Sequence, residues 1–268
     1  DNHKEVASDI FATLKKNGYL YTNTIKQAYC TKDKRFLPDR YVEGICPHCK
    51  FASARGDQCD NCGKPLNAEE LTDIRCRLCG DTPQFRKTKH FFFKLSSFQH
   101  QLLAWVKKQK HWRSNVLNFT TRYIEDGLKD RAITRDIDWG IPVPEKGYED
   151  KRMYVWFEAV IGYLSATKER ATQMGNPDKW RDFWQNASSR AYYFIGKDNI
   201  PFHTIIWPAM LIGYTNHNLP FDVPANEFLT LEGDQFSSSR NWAVWLPDYL
   251  NRYEPDPLRY YLSANMPE

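Results

Sequence analysis

Three Cys-x-x-Cys pairs crowd into the first third of this 268-residue chain, and no other feature limits its folding so narrowly. They are Cys46 and Cys49 in Cys-Pro-His-Cys, Cys59 and Cys62 in Cys-Asp-Asn-Cys-Gly, and Cys76 and Cys79 in Cys-Arg-Leu-Cys-Gly. A Cys-x-x-Cys turn aims two thiolates at one point about 2.3 Å from each sulfur, and two such turns close a tetrahedral zinc site. Cys46, Cys49, Cys59 and Cys62, with nine residues between the pairs, form the first set. The third pair needs partners; the remaining cysteine is Cys30, followed three residues on by Asp33. A carboxylate binds zinc at about 2.0–2.2 Å, so Cys30, Asp33, Cys76 and Cys79 make a second, weaker candidate site. Disulfides are the alternative, disfavoured by the odd count of seven cysteines and by a cytosolic reading of the chain. A redox Cys-x-x-Cys normally occurs once, near a βαβ unit, rather than three times in a loop-rich stretch. Sites closed by four ligands are structural, and neither zinc is expected to do chemistry.

The cytosolic reading rests on the rest of the composition. Mean hydropathy is −0.67, and no apolar run approaches the ~20 residues of a membrane-spanning helix. The opening Asp1-Asn2-His3-Lys4-Glu5 carries no signal-peptide pattern, so the expectation is a cytoplasmic protein with no membrane partner. With 41% hydrophobic and 26% charged residues the chain can build a sizeable core, which excludes a disordered or collagen-like protein. The net charge of +4 is unevenly spread: from Arg75 to Arg135 it is +10, and over the remainder −6. That basic block is interleaved with Phe91, Phe92, Phe93, Trp105 and Trp112, a composition that suits phosphate contacts as well as it suits a solvated helical face.

Along the chain, Val6, Ile10, Phe11 and Leu14 stand at helical spacing before Gly18, a helix and its cap. From Tyr19 to about Pro83 the pattern predicts turns and no long element. His90–Phe93 reads as a short strand, followed by helices from Ser96 or Ser97 and from Ser114 to Asp126. After Lys151 strands and helices alternate: strands at Met153–Phe157, Ala191–Ile195 and Phe228–Leu231, helices over Glu158–Arg170 and Pro201–Gly213. This is the order of half a doubly wound, parallel α/β nucleotide-binding fold, with ligands beyond the carboxyl ends of the strands.

Several strings then carry a resemblance: Arg35-Phe36-Leu37-Pro38-Asp39-Arg40-Tyr41-Val42-Glu43-Gly44, Arg55-Gly56-Asp57-Gln58-Cys59, and Thr134-Arg135-Asp136-Ile137-Asp138-Trp139-Gly140. Others are Tyr154-Val155-Trp156-Phe157-Glu158-Ala159-Val160-Ile161-Gly162-Tyr163, Gly196-Lys197-Asp198-Asn199 with Phe202-His203, and Phe236-Ser237-Ser238-Ser239-Arg240-Asn241-Trp242. On these the chain resembles the methionyl-tRNA synthetases, class I aminoacyl-tRNA ligases, in their archaeal and eukaryotic form. The resemblance implies that methionine is activated with Mg-ATP and passed to tRNA(Met). It implies a methionine pocket from Val155, Trp156, Ala159 and Tyr163 with Ile200, His203 and Trp207, where polarizable aromatic edges suit a thioether. It further implies ATP contacts at Gly196, Asp198 and Ser238, and catalytic roles for Arg135 near the reacting groups and for Ser237, Ser238 and Ser239 of a KMSKS-type loop.

The same resemblance divides the chain. Residues 1–18 end the first half of the nucleotide fold, and 19–152 are a connective insertion with zinc knuckles at about 28–82 and a basic helical part. Residues 153–228 are the second half, and 229–268 hold the KMSKS-like loop and the start of the stem-contact region. Two departures stand out. No HIGH-type motif is present, so the chain reads as a fragment whose missing amino-terminal half is a partner, inactive alone. The loop Gln235-Phe236-Ser237-Ser238-Ser239 has no lysine at either lysine position of the family pattern. The alternatives are a noncatalytic paralogue that binds tRNA or a partner through the zinc module and basic block, and a generic zinc-ribbon nucleic-acid protein.

Overall fold

A computed structural model describes residues 2–56, 59, 66, 68–236 and 241–266; Cys62, Ser237, Ser238 and Ser239 lie outside the described residues. The chain forms two compact units, Asp1–Lys94 with Asp130–Ser165, and Leu95–Lys129 with Ala166–Glu268.

The first unit starts with the expected helix, Asn2–Lys16, which buries Val6, Ala7, Ile10, Phe11 and Leu14. Gly18, at φ +80°, ends it: its N–H bonds the Lys15 carbonyl and the Tyr19 N–H reaches back to Leu14, a Schellman closure that a side chain at Gly18 would strain. The chain then enters an eleven-residue strand, β1 (Leu20–Cys30), where the sequence pattern predicts only turns. Its Thr22, Asn23, Thr24 and Lys26 give no alternation of apolar residues, so the strand owes its existence to its partner rather than to its own sequence. β2 (Arg35–Phe36) pairs with one edge of β1. A small three-stranded sheet follows, in which β3 (Val42–Ile45) lies between β4 (Ala54–Arg55) and β5 (Thr72–Cys76). Its core mixes Leu37, Val42, Ala54, Leu66 and Leu71 with Cys30, Cys46, Cys59 and Cys76. A Cβ on Gly44 would meet the Thr72 carbonyl oxygen at 2.7 Å, so glycine is required there for the strands to approach.

β6 (Gln84–Phe93) returns antiparallel to β1, from Tyr29 opposite Gln84 to Leu20 opposite Phe93. Its aromatic end packs on the first helix, with Phe11 edge-on to Phe91 at 5.1 Å and Phe91 against Tyr148 at 4.7 Å. β7 (Arg131–Ala132) adds to the edge of β6, and β8 (Thr134–Arg135) pairs antiparallel with β9 (Arg152–Met153).

The expected strand Met153–Phe157 stops at Met153. The Tyr154 N–H bonds the Ile133 carbonyl, and Val155–Glu158 turn into helix, with Phe157 and Glu158 N–H groups on the Tyr154 carbonyl. A short apolar run has no period of its own by which to choose between strand and helix. The helix resumes over Gly162–Gln173.

In the second unit Gln99–Val106 and Ser114–Glu125 are helices, the latter burying Val116, Thr120 and Ile124. β10 (Ile195–Gly196) and β11 (Ala225–Asn226) pair in parallel, extended by a parallel bridge from Tyr192 to Asp222, with helix Trp207–Tyr214 in the crossover. This is a βαβ arrangement, the α/β element that the alternation predicts. A π-turn over Phe202–Ile206 precedes that helix. Pro208 has no N–H to give the Thr204 carbonyl, and the Thr204 hydroxyl instead bonds Ile200 at 2.8 Å. The expected third strand at Phe228–Leu231 is confined to β12 (Thr230–Leu231), which forms an antiparallel hairpin with β13 (Asp234–Gln235). Tight turning at Gly233, φ +89°, dictates that hairpin over a parallel strand.

Candidate functional site

Two cysteine clusters form beside the small three-stranded sheet. In one, donor atoms of Cys30, Asp33, Cys76 and Cys79 all lie within 4.8 Å of one another, and in the other so do those of Cys46, Cys49 and Cys59. Cys62, expected as the fourth ligand, lies outside the described residues. The local backbone explains the convergence. Lys50 N–H bonds the Cys46 carbonyl at 3.0 Å and Gly80 N–H the Cys76 carbonyl at 2.8 Å, with positive φ at both Lys50 and Gly80 closing each knuckle. Sγ of Cys30 and Cys79 are 3.4 Å apart, and those of Cys49 and Cys59 3.5 Å. Four thiolates at ~2.3 Å from a tetrahedral centre stand about 3.8 Å from each other, so the donor sets fit a thiolate-binding metal. Asp33 belongs to its cluster: its Oδ2 accepts from Cys30 and Cys76 Sγ, each at 3.2 Å. Those thiol hydrogen bonds, Cys30 first, hold its carboxyl below the usual range. The Cys79 thiol, though drawn down by the Asp81 backbone, is pushed up to about 12 by desolvation and by Asp33, Cys30 and Cys76. Protons crowded this closely among soft donors are what a cation displaces.

Arg135, at the end of β8, is half-buried. Its Nη1 donates to the carbonyls of Ala132 at 3.0 Å and Thr134 at 2.8 Å, and the guanidinium lies over the Tyr154 ring, 3.7 Å from its centroid. Desolvation draws its pKa down, opposed by Tyr154, Asp39 and Asp136. Among the described residues no carboxylate is within 4.0 Å of it, so the cation is fixed in direction yet not neutralised by an ion pair. The next residue, Asp136, sits in a buried polar cluster that the sequence does not announce. Its carboxylate takes a hydrogen bond from Lys151 Nζ and one from Thr88 Oγ1 at 2.8 Å, and faces His90 Nε2 at 3.0 Å. Burial opposes ionisation of Asp136, and His90, Lys151 and Thr88 outweigh it, lowering the pKa to about 2. A lone His90 and Thr88 among the lysines of β6 are the only sequence trace of this cluster.

The expected methionine contacts of the first unit share a face. Val155, Trp156, Ala159 and Tyr163 are all exposed, while Phe157, Val160, Ile161 and Leu164 on the same helical run are buried. Three large apolar side chains exposed at 42–45% beside Tyr154 form a surface that a ligand can cover. In the second unit Ile200 just before the π-turn, His203 within it and Trp207 at the start of the helix after it are buried. Trp207 donates from Nε1 to Tyr193 Oη at 3.1 Å and stands edge-on to Trp184, so its polar atom and one ring edge already have partners. His203 Nδ1 donates to the Asn199 carbonyl at 2.9 Å, and desolvation lowers its pKa. Gly196 ends β10 and Asp198 is exposed in the turn Lys197–Asn199.

The sequence profile of the family described as tRNA synthetases class I (M) matches residues 1–268. The methionine–tRNA ligase of Dehalococcoides mccartyi strain CBDB1 is 62% identical over 267 residues, which take in the whole of this chain and 48% of that protein. The ligase of Thermomicrobium roseum is 60% identical over 268 residues, again the whole chain and 46% of the relative. The chain therefore spans about half the length of the curated relatives it matches. Among solved structures, Mycobacterium tuberculosis methionyl-tRNA synthetase in complex with methionyl-adenylate matches 98% of this chain and 45% of its own, with TM-score 0.68 and 25% identity. The architecture is thus an α/β fold of the nucleotide-binding type found in class I synthetases. With profile, identity and fold in agreement along its whole length, this chain belongs to the methionyl-tRNA synthetases, within the class I tRNA synthetases.

Proposed function

We propose that this chain is the part of a methionine–tRNA ligase that helps activate methionine with Mg-ATP and deliver it to tRNA(Met). The observation that carries the reading is the adjacency in the first unit of an unneutralised guanidinium, Arg135 over Tyr154, and the exposed apolar face of Val155, Trp156, Ala159 and Tyr163. An amino acid about to be adenylated offers both a carboxylate or phosphate oxygen and, here, a thioether. Ile200, His203 and Trp207 are proposed as further methionine contacts, and Gly196, Asp198 and Ser238 as ATP contacts. Ser237 and Ser239 would join Ser238 in hydrogen-bonding phosphate oxygens. The chemistry assigned to these groups is positioning and charge stabilisation at phosphorus, with no protein nucleophile.

Zinc is the metal proposed for the two clusters, held by Cys46, Cys49, Cys59 and Cys62, and by Cys30, Asp33, Cys76 and Cys79. It would cross-link the insertion, whose small core of cysteines and few aliphatics supports the need for such a staple. The proposed organisation is 1–18 as the end of the first nucleotide-fold half and 19–152 as the insertion with zinc knuckles. Residues 153–228 would be the second half, and 229–268 the KMSKS-like loop and stem-contact start. The remainder of the ligase is the proposed partner, and reduced thiolates support a cytoplasmic setting. No helix among the described residues is long and apolar enough to cross a membrane.

The test places this segment in a ligase of the relatives' full length and measures amino-acid-dependent pyrophosphate exchange. Exchange with methionine and none with leucine is expected. Exchange that is absent, or indifferent to the amino acid, overturns the reading.

A further inference from the structure

We propose that the buried cluster of Asp136, Lys151, His90 and Thr88 is a positioning device for Arg135, fixing the direction of its guanidinium through its two chain neighbours, Thr134 and Asp136, and from Lys151 just before the strand opposite. His90 is fully buried and touches both residues that flank Arg135: its Nδ1 is 2.9 Å from Thr134 Oγ1 and its Nε2 3.0 Å from Asp136 Oδ2. The Thr134 hydroxyl also accepts the Phe91 N–H at 3.1 Å, so β6 holds Thr134 by side chain and main chain together. Lys151 enters from the residue just before β9. It is 7% exposed, donates to Asp136 and, at 2.9 Å, to Thr88, and it precedes Arg152, the residue paired with Arg135 in the β8–β9 register.

Such a cluster is a costly way to join two strands. Burying an ammonium and a carboxylate returns little net stability over an apolar pair of the same shape, and removing one partner strands the other. What it does provide is direction, because Lys151 and Thr88 reach Asp136, and His90 Nδ1 reaches Thr134, in one geometry. β8 is only two residues long, and Arg135 makes its own hydrogen bonds to main-chain carbonyls at Ala132 and Thr134. A shift of Thr134 or Asp136 therefore swings the guanidinium off Tyr154. None of the four cluster residues needs to meet a substrate; they act through Arg135.

The inference rests on reading Arg135 as an anion contact. Its test uses this chain, with the hydrogen-bonded Arg135 Nη1–H resonance identified by its loss in Arg135→Lys. In Lys151→Met and Asp136→Asn that proton is expected to exchange with water about tenfold faster or more, while the amide resonances of β1 and β6 stay in place. Exchange within about twofold of the parent in a variant that keeps those amides overturns the proposal. Should Lys151→Met not fold, Thr88→Val removes two hydrogen bonds, to Asp136 and from Lys151, at constant shape and is read the same way. A purely structural cluster would lower thermal stability in all three and leave the Arg135 proton alone. The anion-contact reading fails on a different result, unchanged pyrophosphate exchange in Arg135→Ala of the full-length ligase, so the two are told apart.

Discussion

Arg135 and Tyr154 are stacked at 3.7 Å, guanidinium to ring centroid, and Tyr154 is also the residue from which the Val155–Glu158 helix starts. One side chain thus orients the cation and caps the apolar face beside it. A cation over an aromatic face is stabilised by about 0.5–2 kcal/mol. In the full-length ligase, Tyr154→Leu should lower kcat/KM for methionine-dependent exchange between about two- and thirtyfold, that same energy expressed as a rate. Tyr154→Phe keeps the ring and should retain most activity. A Leu variant equal to its parent would separate Tyr154 from the site.

Metal analysis of the purified chain is expected to find zinc. Cys46, Cys49, Cys59 and Cys62 should keep theirs longest, whereas the site with Asp33 should lose its metal first to a chelator, because a carboxylate is a weaker partner for zinc than a thiolate among thiolates. Asp33→Cys should bring the two sites level, and Asp33→Ala should widen the gap. Equal resistance of two filled sites in the parent chain would exclude Asp33 as the weak ligand, and a folded protein without zinc would exclude the metal.

Asp136 sets an acid limit on the first unit. Its folded pKa is lowered to about 2, below the ordinary aspartate value of about 4. A depressed carboxyl pKa contributes stability above the unfolded pKa and loses it as pH falls towards the folded value, so the loss falls between about pH 4 and pH 2. Asp136→Asn should therefore be less stable than the parent at pH 7, and the difference should shrink through that window. A stability gap that is constant from pH 7 to pH 2 would show that the charge on Asp136 contributes nothing.

How much of this was legible in the sequence depended on whether the feature was local. The thiolate turns were, since a Cys-x-x-Cys knuckle is a four-residue event, and Asp33 could be picked out by its spacing from Cys30. The first helix was, because Val6, Ile10, Phe11 and Leu14 mark one face and Gly18 its end. β1 was not, because its polar residues become a strand only against β6, some sixty residues away. Val155–Phe157 reads as strand in the sequence and is helix in the structure, since an apolar run is silent about its period. The Asp136 cluster was invisible for the same reason as β1: it joins positions 88, 90, 136 and 151, which no window holds together.

Binding of tRNA by the basic residues between Arg75 and Arg135 should be sensitive to salt. Lys87 and Lys89 on β6, and Lys107, Lys108 and Lys110 after helix Gln99–Val106, are exposed. Each phosphate they neutralise adds about 0.7–0.9 to the slope of log affinity against log salt. Replacing one lysine that makes such a contact should reduce the slope by about that amount. A slope near zero in the parent chain would mean that these charges only face water.

This chain by itself is expected to form methionyl-adenylate at no appreciable rate. The motivation lies in the loop from Gln235 to Ser239, where the family pattern places lysines and this sequence has Gln235 and Ser238. A hydroxyl or an amide can hydrogen-bond a phosphate oxygen, but it brings no charge to the developing pentavalent phosphorus. Losing one preorganised donor to such a charge costs roughly 2.7–4 kcal/mol, about a hundred- to a thousandfold in rate. The chain also matches only 46–48% of the length of its relatives. Two or more such losses, even if not additive, bring the reaction close to background. Supplying the rest of the ligase should restore exchange, and Gln235→Lys should then raise it modestly, by a fraction of what one full donor contributes, because the loop has settled on hydroxyls in place of cations. Methionine-dependent pyrophosphate exchange on the isolated chain decides the matter: a robust rate with nothing added would show that the residues present here already complete the site.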